Sequence, residues 1–367
     1  MWIRITVAVG AANTYWRQVD LEQHVARSVI SIKEVAKLAG VSIATVSRCI
    51  NNPETVRERT RLKVQDAIRR TGYSPNTLAQ SFRRGRTNIV MVVLPSVGDP
   101  FFTMVMQGIR TAAKVKGYSI IIEDTQFNTM TADEIGALVV SRQTDGIILL
   151  ASMSPFGTKV LSARSHRALP IVIGCETVSP ELSSFPSVHI DNVAAAKEVT
   201  NYLIQKGHRR IAMICGQETS LLTKDREFGY RGAMNQAKLA IEDGWVVDGR
   251  LSLDGAMRAT RKLLNHAHQP TAIFCANDEM AIGCLHAIKA AGLNVPQDIS
   301  VVGFDDIRYA EVADPPLTTV SQPAEEIGER VMYRLYREIE QQHTGDVKPE
   351  IVPHKLIIRQ SVAPPKA

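Results

Sequence analysis

Residues Ile43, Ala44, Thr45, Ser47 and Arg48 lie within six positions of one another, and together they offer hydrogen-bonding and apolar groups at base-edge scale. A single arginine can grip guanine O6 and N7 together, and small apolar side chains pack on thymine methyls. That is sequence-reading chemistry rather than bond-breaking chemistry. It requires the five side chains to stand on the exposed face and N-terminus of one helix, because a helix-turn-helix docks its second helix N-terminus first.

The flanking residues supply such a helix. Ser31 and Glu34 form an S-x-x-E capping box that starts a first helix, and Ile32, Val35, Ala36 and Ala39 recur on one face. Gly40 stops it, since a left-handed residue is cheapest as glycine. Ser42 recaps the chain, and a second helix runs to about Asn51 with Val46, Cys49 and Ile50 inward. An ordinary two-helix corner has the same outline. A third helical pattern spans roughly Thr55 to Thr71, with Val64, Ala67 and Ile68 on one face, and ends at Gly72.

Charge separates the two readings. Residues 31–86 hold twelve basic and four acidic side chains, a net +8, while the whole 367-residue chain is +6. The remainder is therefore slightly acidic. The basic character belongs to the N-terminal module, as a phosphate backbone demands.

From Ile89 onward apolar runs alternate with helical patterns, which predicts α/β structure with parallel strands. Strands are expected at Ile89–Leu94, Ser119–Glu123, Gly146–Leu150, Pro170–Gly174, Arg210–Cys215, Thr271–Cys275 and Ile299–Gly303. Helices fall between most of them, for example at Thr103–Lys116 and Ala194–Lys206. Ligands in such folds bind beyond strand C-termini. Asp99-Pro-Phe-Phe102 follows the first strand, so Phe101 and Phe102 are candidates to stack on a flat or ring-shaped ligand. The alternative is that Asp99 caps the next helix and the phenylalanines are core. Asp124, after the second strand, is a weaker candidate.

The five cysteines have no C-x-x-C spacing and read as reduced, buried thiols of a cytoplasmic protein. His266 and His268 lack a completing ligand set, so no metal or cofactor is expected. No transmembrane run exists. Residues 1–30 are read as a disordered leader, or, to about Arg27, as the product of a start site placed too far upstream.

These motifs together resemble the lactose/galactose-repressor family of bacterial transcription regulators. The resemblance rests on Ile32–Ser42, Thr45–Arg48, Thr60-Arg61, Gly72–Asn76, Asp99–Phe102, Thr144–Ile147, Val188–Asn192, Gly207–Ile211, Arg226 with Gly229-Tyr230, Ala276–Asp278, Val301–Asp305, Pro316–Thr319 and Gln322-Pro323. Asp99–Phe102 and Val188–Asn192 look most like its cytidine-repressor branch.

The resemblance implies an all-α helix-turn-helix DNA-binding domain at 31–73, a hinge helix and linker at 74–87, and a core at 88–367. That core would be a two-lobed, periplasmic-binding-protein-like α/β fold with parallel sheets and helices on both faces, crossed three times by the chain. The first lobe would hold about 88–190 and 320–342, the second about 191–319 and 343–362.

Ile43 and Ala44 take the two main specificity positions. Arg48 is the guanine reader, and Thr45, Ser47 and Asn51 are phosphate or secondary base contacts, or simply stabilise their helix. Ser31 and Tyr73 position the backbone. Phe82 stands where the family usually carries a leucine wedge for the central base step, with Arg83 beside it; the alternative is a linker hydrophobe packed on the core. Glu54 is a second departure, an acid near a phosphate contact. Arg226, Asn277 and Asp305 match cleft contacts suited to a sugar, a sugar acid or a nucleoside, whereas Asp278 is expected to cap its helix.

The implied partners are a pseudo-palindromic double-stranded DNA operator, a small effector and a second copy of the chain. The end, Ala-Pro-Pro-Lys-Ala, lacks the heptads of a tetramerising tail. The rival class is a two-lobed small-molecule-binding protein without a DNA role. An enzyme is disfavoured because the cleft residues include no nucleophile–base pair.

Overall fold

The computed structural model describes residues 31–73, 86–125, 143–150, 170–177, 182–218, 220–340 and 347–366. The leader, Phe82 and Arg83 lie outside the described residues. The chain divides into two compact units, Met1–Gln80 and Ser81–Ala367.

In the first unit, α1 (Ile32–Ala39) begins where the Glu34 carboxylate accepts the Ser31 N–H at 2.6 Å. It ends at Gly40, whose φ of 65° no β-carbon favours. The Ser42 hydroxyl then accepts the Thr45 N–H at 3.1 Å and opens α2 (Ile43–Asn51). The third helix, α3 (Glu58–Thr71), starts later than the sequence pattern indicates. Pro53–Thr55 form a separate 3-10 turn and Val56 is extended, so the helix restarts only after them. Val35, Ala36, Ala39, Val46, Cys49, Val64 and Ala67 make the core, and Ile50, Ile68 and Tyr73 pack around it.

The second unit holds two parallel sheets. The first contains β1 (Ile89–Leu94), β2 (Ser119–Asp124), β3 (Gly146–Leu149), β4 (Ile171–Gly174), β5 (Ser187–His189) and β11 (Glu350–Ile351), in the order β11-β5-β4-β3-β1-β2. The second contains β6 (Ile211–Cys215), β7 (Val246–Asp248), β8 (Ala272–Cys275) and β9 (Ser300–Val302), in the order β7-β6-β8-β9. Each of the seven expected strands is present to within one residue at either end. An antiparallel pair, β10 (Thr319–Ser321) with β12 (Lys355–Ile357), lies on two of the crossings between lobes.

Helices α4 (Pro100–Lys116) and α9 (Ala324–Ile339) pack together in the first lobe, with α9 against its sheet. In the second lobe α5 (Asn192–Gln205) packs on α6 (Leu221–Gln236), and α7 (Leu253–Leu264) on α8 (Asp278–Ala290). The chain passes between the sheets after β5, around β10 and after β11, which is the three-crossing topology. One expected boundary shifts. The second-lobe segment placed at 343 begins later, because Glu350 and Ile351 pair in parallel with Val188 and His189 and hold the chain to the first sheet.

The α4–α9 contact is unusually close. A β-carbon on Gly108 would lie 1.9 Å from the Glu325 carbonyl oxygen, and one on Gly328 would lie 2.1 Å from that of Val105. Backbone meets backbone at both glycines. Beyond the C-terminal ends of these helices the start of the unit is pinned. Arg86 pairs with Glu340, and the Asp145 carboxylate accepts the N–H groups of Thr87 at 2.7 Å and Asn88 at 2.8 Å.

All five cysteines are buried and free. Among the described residues, no helix is long and apolar enough to cross a membrane, and no cluster of His, Cys, Asp or Glu is arranged to hold a metal ion.

Candidate functional site

On α2 the exposed face is divided by its own hydrogen bonds. Asn51 Nδ2 donates to the Ser47 carbonyl at 2.8 Å and to the Ser47 hydroxyl at 3.3 Å. Thr45 Oγ1 lies 2.9 Å from the Ser42 hydroxyl. Thr45, Ser47 and Asn51 are thus engaged along the helix, as a helix-stabilising role requires. Ile43 (44% exposed), Ala44 and Arg48 project outward. Among the described residues Arg48 makes no side-chain hydrogen bond or ion pair, so its guanidinium is free for an outside partner. Ser31 is occupied as the cap of α1, and Tyr73 is half-buried against the three-helix core. Asp66 pairs weakly with Arg69 and Arg70 at 3.6 and 3.8 Å on an exposed surface, worth little in water. The other basic side chains of α3 keep their field.

The second site lies at the strand ends of the second unit. Asp99 caps α4, its Oδ1 accepting the Phe101 N–H at 2.8 Å. The helix therefore starts at Pro100 instead of Thr103, which puts both phenylalanines in its first turn. Phe101 and Phe102 are buried and pack edge to face at 5.4 Å within the core. Of the two readings weighed for them, core packing is what the geometry supports. The Asp124 carboxylate accepts the Val97 N–H at 2.8 Å and ties down the loop after β1.

Arg226, only 2% exposed, is the hub. Its Nε donates to Asn192 Oδ1 at 3.1 Å, Nη1 to the Ala276 carbonyl and Nη2 to Asp305 Oδ1 at 3.4 Å. The guanidinium also stacks 3.6 Å from the centre of the Phe304 ring. Asp305 holds a left-handed φ of 109° and accepts a second bond from Gln322 Nε2 at 2.6 Å. Burial pushes its carboxyl up to about 7 despite the Arg226 charge, with Asp99 adding to the rise. Asn277, rather than Asp278, caps α8: its Oδ1 accepts the Met280 N–H at 2.8 Å. Asp278 is the first residue of the helix and accepts Ile307 N–H at 2.9 Å and Thr319 Oγ1 at 2.6 Å. The side chain one position earlier reaches the free N–H groups, so Asp278 is left to fasten the β9 loop to β10.

The structure thus brings Arg226, Asp305 and Asn277 to one place and leaves Phe101 and Phe102 in the core. Residues given no individual role from the sequence join them: Asn192, Phe304 and Gln322. All three stand inside motifs that carry the family resemblance, which is the signal that could have found them. A further contact spans the two lobes, Thr177 Oγ1 to Asp225 Oδ2 at 2.5 Å. No motif marks it.

Residues 31–76 match the bacterial regulatory proteins of the lacI family, and residues 200–362 match the periplasmic binding protein-like domain. The HTH-type transcriptional repressor CytR of Escherichia coli (strain K12) is 36% identical over 331 residues, covering 90% of this chain and 96% of its own. The ribose operon repressor of the same organism is 34% identical, covering 85% and 93%. A crystal structure of the Lac repressor dimer bound to operator and the anti-inducer ONPF superposes with a TM-score of 0.79 at 26% identity, covering 91% of this chain and 99% of that one. With its helix-turn-helix and two-lobed core both in place, the chain belongs to the lacI family of bacterial regulatory proteins.

Proposed function

We propose that this chain is a transcriptional repressor whose operator affinity is set by a small polar molecule held between the two lobes. A sugar, a sugar acid or a nucleoside suits a cleft built from arginine, asparagine and aspartate. The observation that carries the reading is the Arg226–Asp305–Gln322 chain of bonds. Asp305 belongs to the second lobe, while Gln322 leads directly into α9 of the first. A molecule that bonds to Asp305 or Arg226 therefore competes with, or reinforces, a link between lobes.

Ligand shifts the equilibrium only through its differential affinity for the two lobe arrangements. The reading places two copies on a pseudo-palindromic operator, with Ile43, Ala44 and Arg48 on base edges and Phe82 with Arg83 at the operator centre. It also makes the protein cytoplasmic and not an enzyme.

The test is a gel shift with fragments from around the protein's own gene, with and without molecules that raise its melting temperature. A ligand that changes operator affinity supports the reading. Salt-insensitive or absent DNA binding would return the chain to the class of two-lobed binding proteins without a DNA role.

A further inference from the structure

The cleft is crowded with acids. Asp99 and Glu176 come from the strand ends of the first lobe, and Asp278, Glu279 and Asp305 from those of the second. Their charges act on one another: Asp99 on both Glu279 and Asp305, and Asp305 on Asp278. Among the described residues, the cation bonded to one of these acids is Arg226. Two other arginines of the second lobe, Arg359 and Arg231, are paired with Asp306 at 2.8 Å and Glu227 at 2.6 Å.

Arg226 is poorly placed to receive an anion. A carboxylate or phosphate is gripped by two parallel N–H groups of a guanidinium fork. Three of its five N–H groups, one on each nitrogen, already donate within the protein and one face lies on Phe304, so the two that remain sit on nitrogens already held by Ala276 and Asp305 and do not form a free fork.

Three buried atoms beside this network have no protein partner among the described residues: Asn192 Nδ2, Gln322 Oε1 and Thr223 Oγ1. One is a donor, one an acceptor and one a hydroxyl. Their side chains are 1%, 4% and 2% exposed. Hydroxyl groups, which donate and accept, satisfy all three. An anionic group only accepts, so it leaves Gln322 Oε1 unmet and faces the carboxylates as well.

On the reading of this cleft as the effector site, we propose that it selects an uncharged, hydroxyl-bearing ligand and rejects the carboxylate- or phosphate-bearing form of the same molecule. The titration behaviour agrees with this. Burial raises Asp99, Asp278, Glu279 and Asp305 from their ordinary values, so burial here works against negative charge, on the protein as on a ligand.

The experiment titrates the full-length protein with matched sets by calorimetry at fixed pH and ionic strength. The sets are ribose, ribonate and ribose phosphate; glucose, gluconate and glucose phosphate; cytidine and cytidine monophosphate. Wherever a set binds, the neutral member is expected to bind at least about tenfold tighter. An anionic member that matches or exceeds its neutral counterpart overturns the proposal. The Asp99→Asn/Glu279→Gln double variant is expected to narrow the ratio by about tenfold, since two of the repelling charges are gone; an unchanged ratio overturns the electrostatic argument. If no member of any set binds or alters operator affinity, the reading of the cleft as an effector site fails and takes the proposal with it. Binding by anions alone leaves that reading standing and removes only the charge selection.

Discussion

Arg226→Met is the most demanding test of the cleft network. The substitution keeps an unbranched stem of similar length but removes the charge, three hydrogen bonds and the guanidinium's stacking on Phe304. Arg226 and Asp305 have side chains 2% and 10% exposed, so solvent does not rescue the pair. Removing one partner of a buried pair costs about 3–5 kcal/mol when the other must remain charged.

Asp305 has an escape, because it can take up a proton, and this makes the cost depend on pH. With Arg226 present its carboxyl titrates at about 7, above the unfolded value of 3.8. The stability associated with this group is fully present below the unfolded value and is lost as pH rises through the folded one. In the parent protein that loss is complete just above neutrality. In Arg226→Met the folded value climbs further, and the loss continues into the alkaline range. The gap between the two proteins should widen by about 1.4 kcal/mol per pH unit above neutrality. Denaturant unfolding of full-length protein at about pH 6 and about pH 8.5 measures it. A gap below about 1 kcal/mol that stays the same at both pH values would refute the assignment of Arg226 as the counter-charge of Asp305.

Other outcomes follow from separate parts of the molecule. Arg48→Ala should lose about 1–3 kcal/mol on the operator and relax one base position; equal loss on random DNA would make Arg48 a phosphate contact. Gly108→Ala should destabilise the second unit by about 1–3 kcal/mol or more, because its β-carbon meets a carbonyl oxygen that cannot swing away; an unchanged melting temperature would mean that the helices separate at no cost. Ser31→Ala should cost the first unit about 1 kcal/mol through loss of the helix cap, measured by thermal unfolding. Thr177→Val should alter effector affinity in calorimetry while leaving binding to ligand-free operator within about twofold, as expected for one lost hydrogen bond between lobes; a change confined to DNA binding would count against an inter-lobe role.

Much of this was legible in residue type and spacing, for reasons that differ between regions. Ser31, Glu34, Gly40 and Ser42 announce helix ends through local chemistry, and the fold keeps each of them in that role. Long apolar runs such as Ile89–Leu94 declare buried parallel strands. The short strands are different. β5, β7, β10 and β12 have three residues each, too few for any periodicity, and they exist because a neighbouring strand supplies their partners, whereas the equally short β9 is marked by the longer apolar run Ile299–Gly303 around it.

In the cleft, residue type alone leaves some roles open. Arg226 and Asp305 meet, but Asn277 and Asp278 sit side by side with similar chemistry, and only backbone geometry decides which one caps α8. Asp99 presents the converse case. Its cap starts α4 early enough to turn Phe101 and Phe102 into the core, a consequence of three residues of helix that no pattern of hydrophobicity displays.

The glycine contact between α4 and α9 has a mechanical meaning. α4 has 17 residues and is therefore about 25 Å long, and α9 is only one residue shorter. One begins beside Asp99 and the other just after Gln322, so both are rooted in the cleft. Their far ends lie near Tyr118, Lys116 and Glu340, where Lys116 rests 4.3 Å from the centre of the Tyr336 ring and Glu340 holds Arg86. Two rods seated backbone to backbone cannot slide past one another without lifting apart, so they behave as a single strut. A displacement of Gln322 at one end is thus carried by a stiff body toward Glu340 and Arg86 at the other, and the stiffness of that strut sets how small a shift at the cleft can still be felt there.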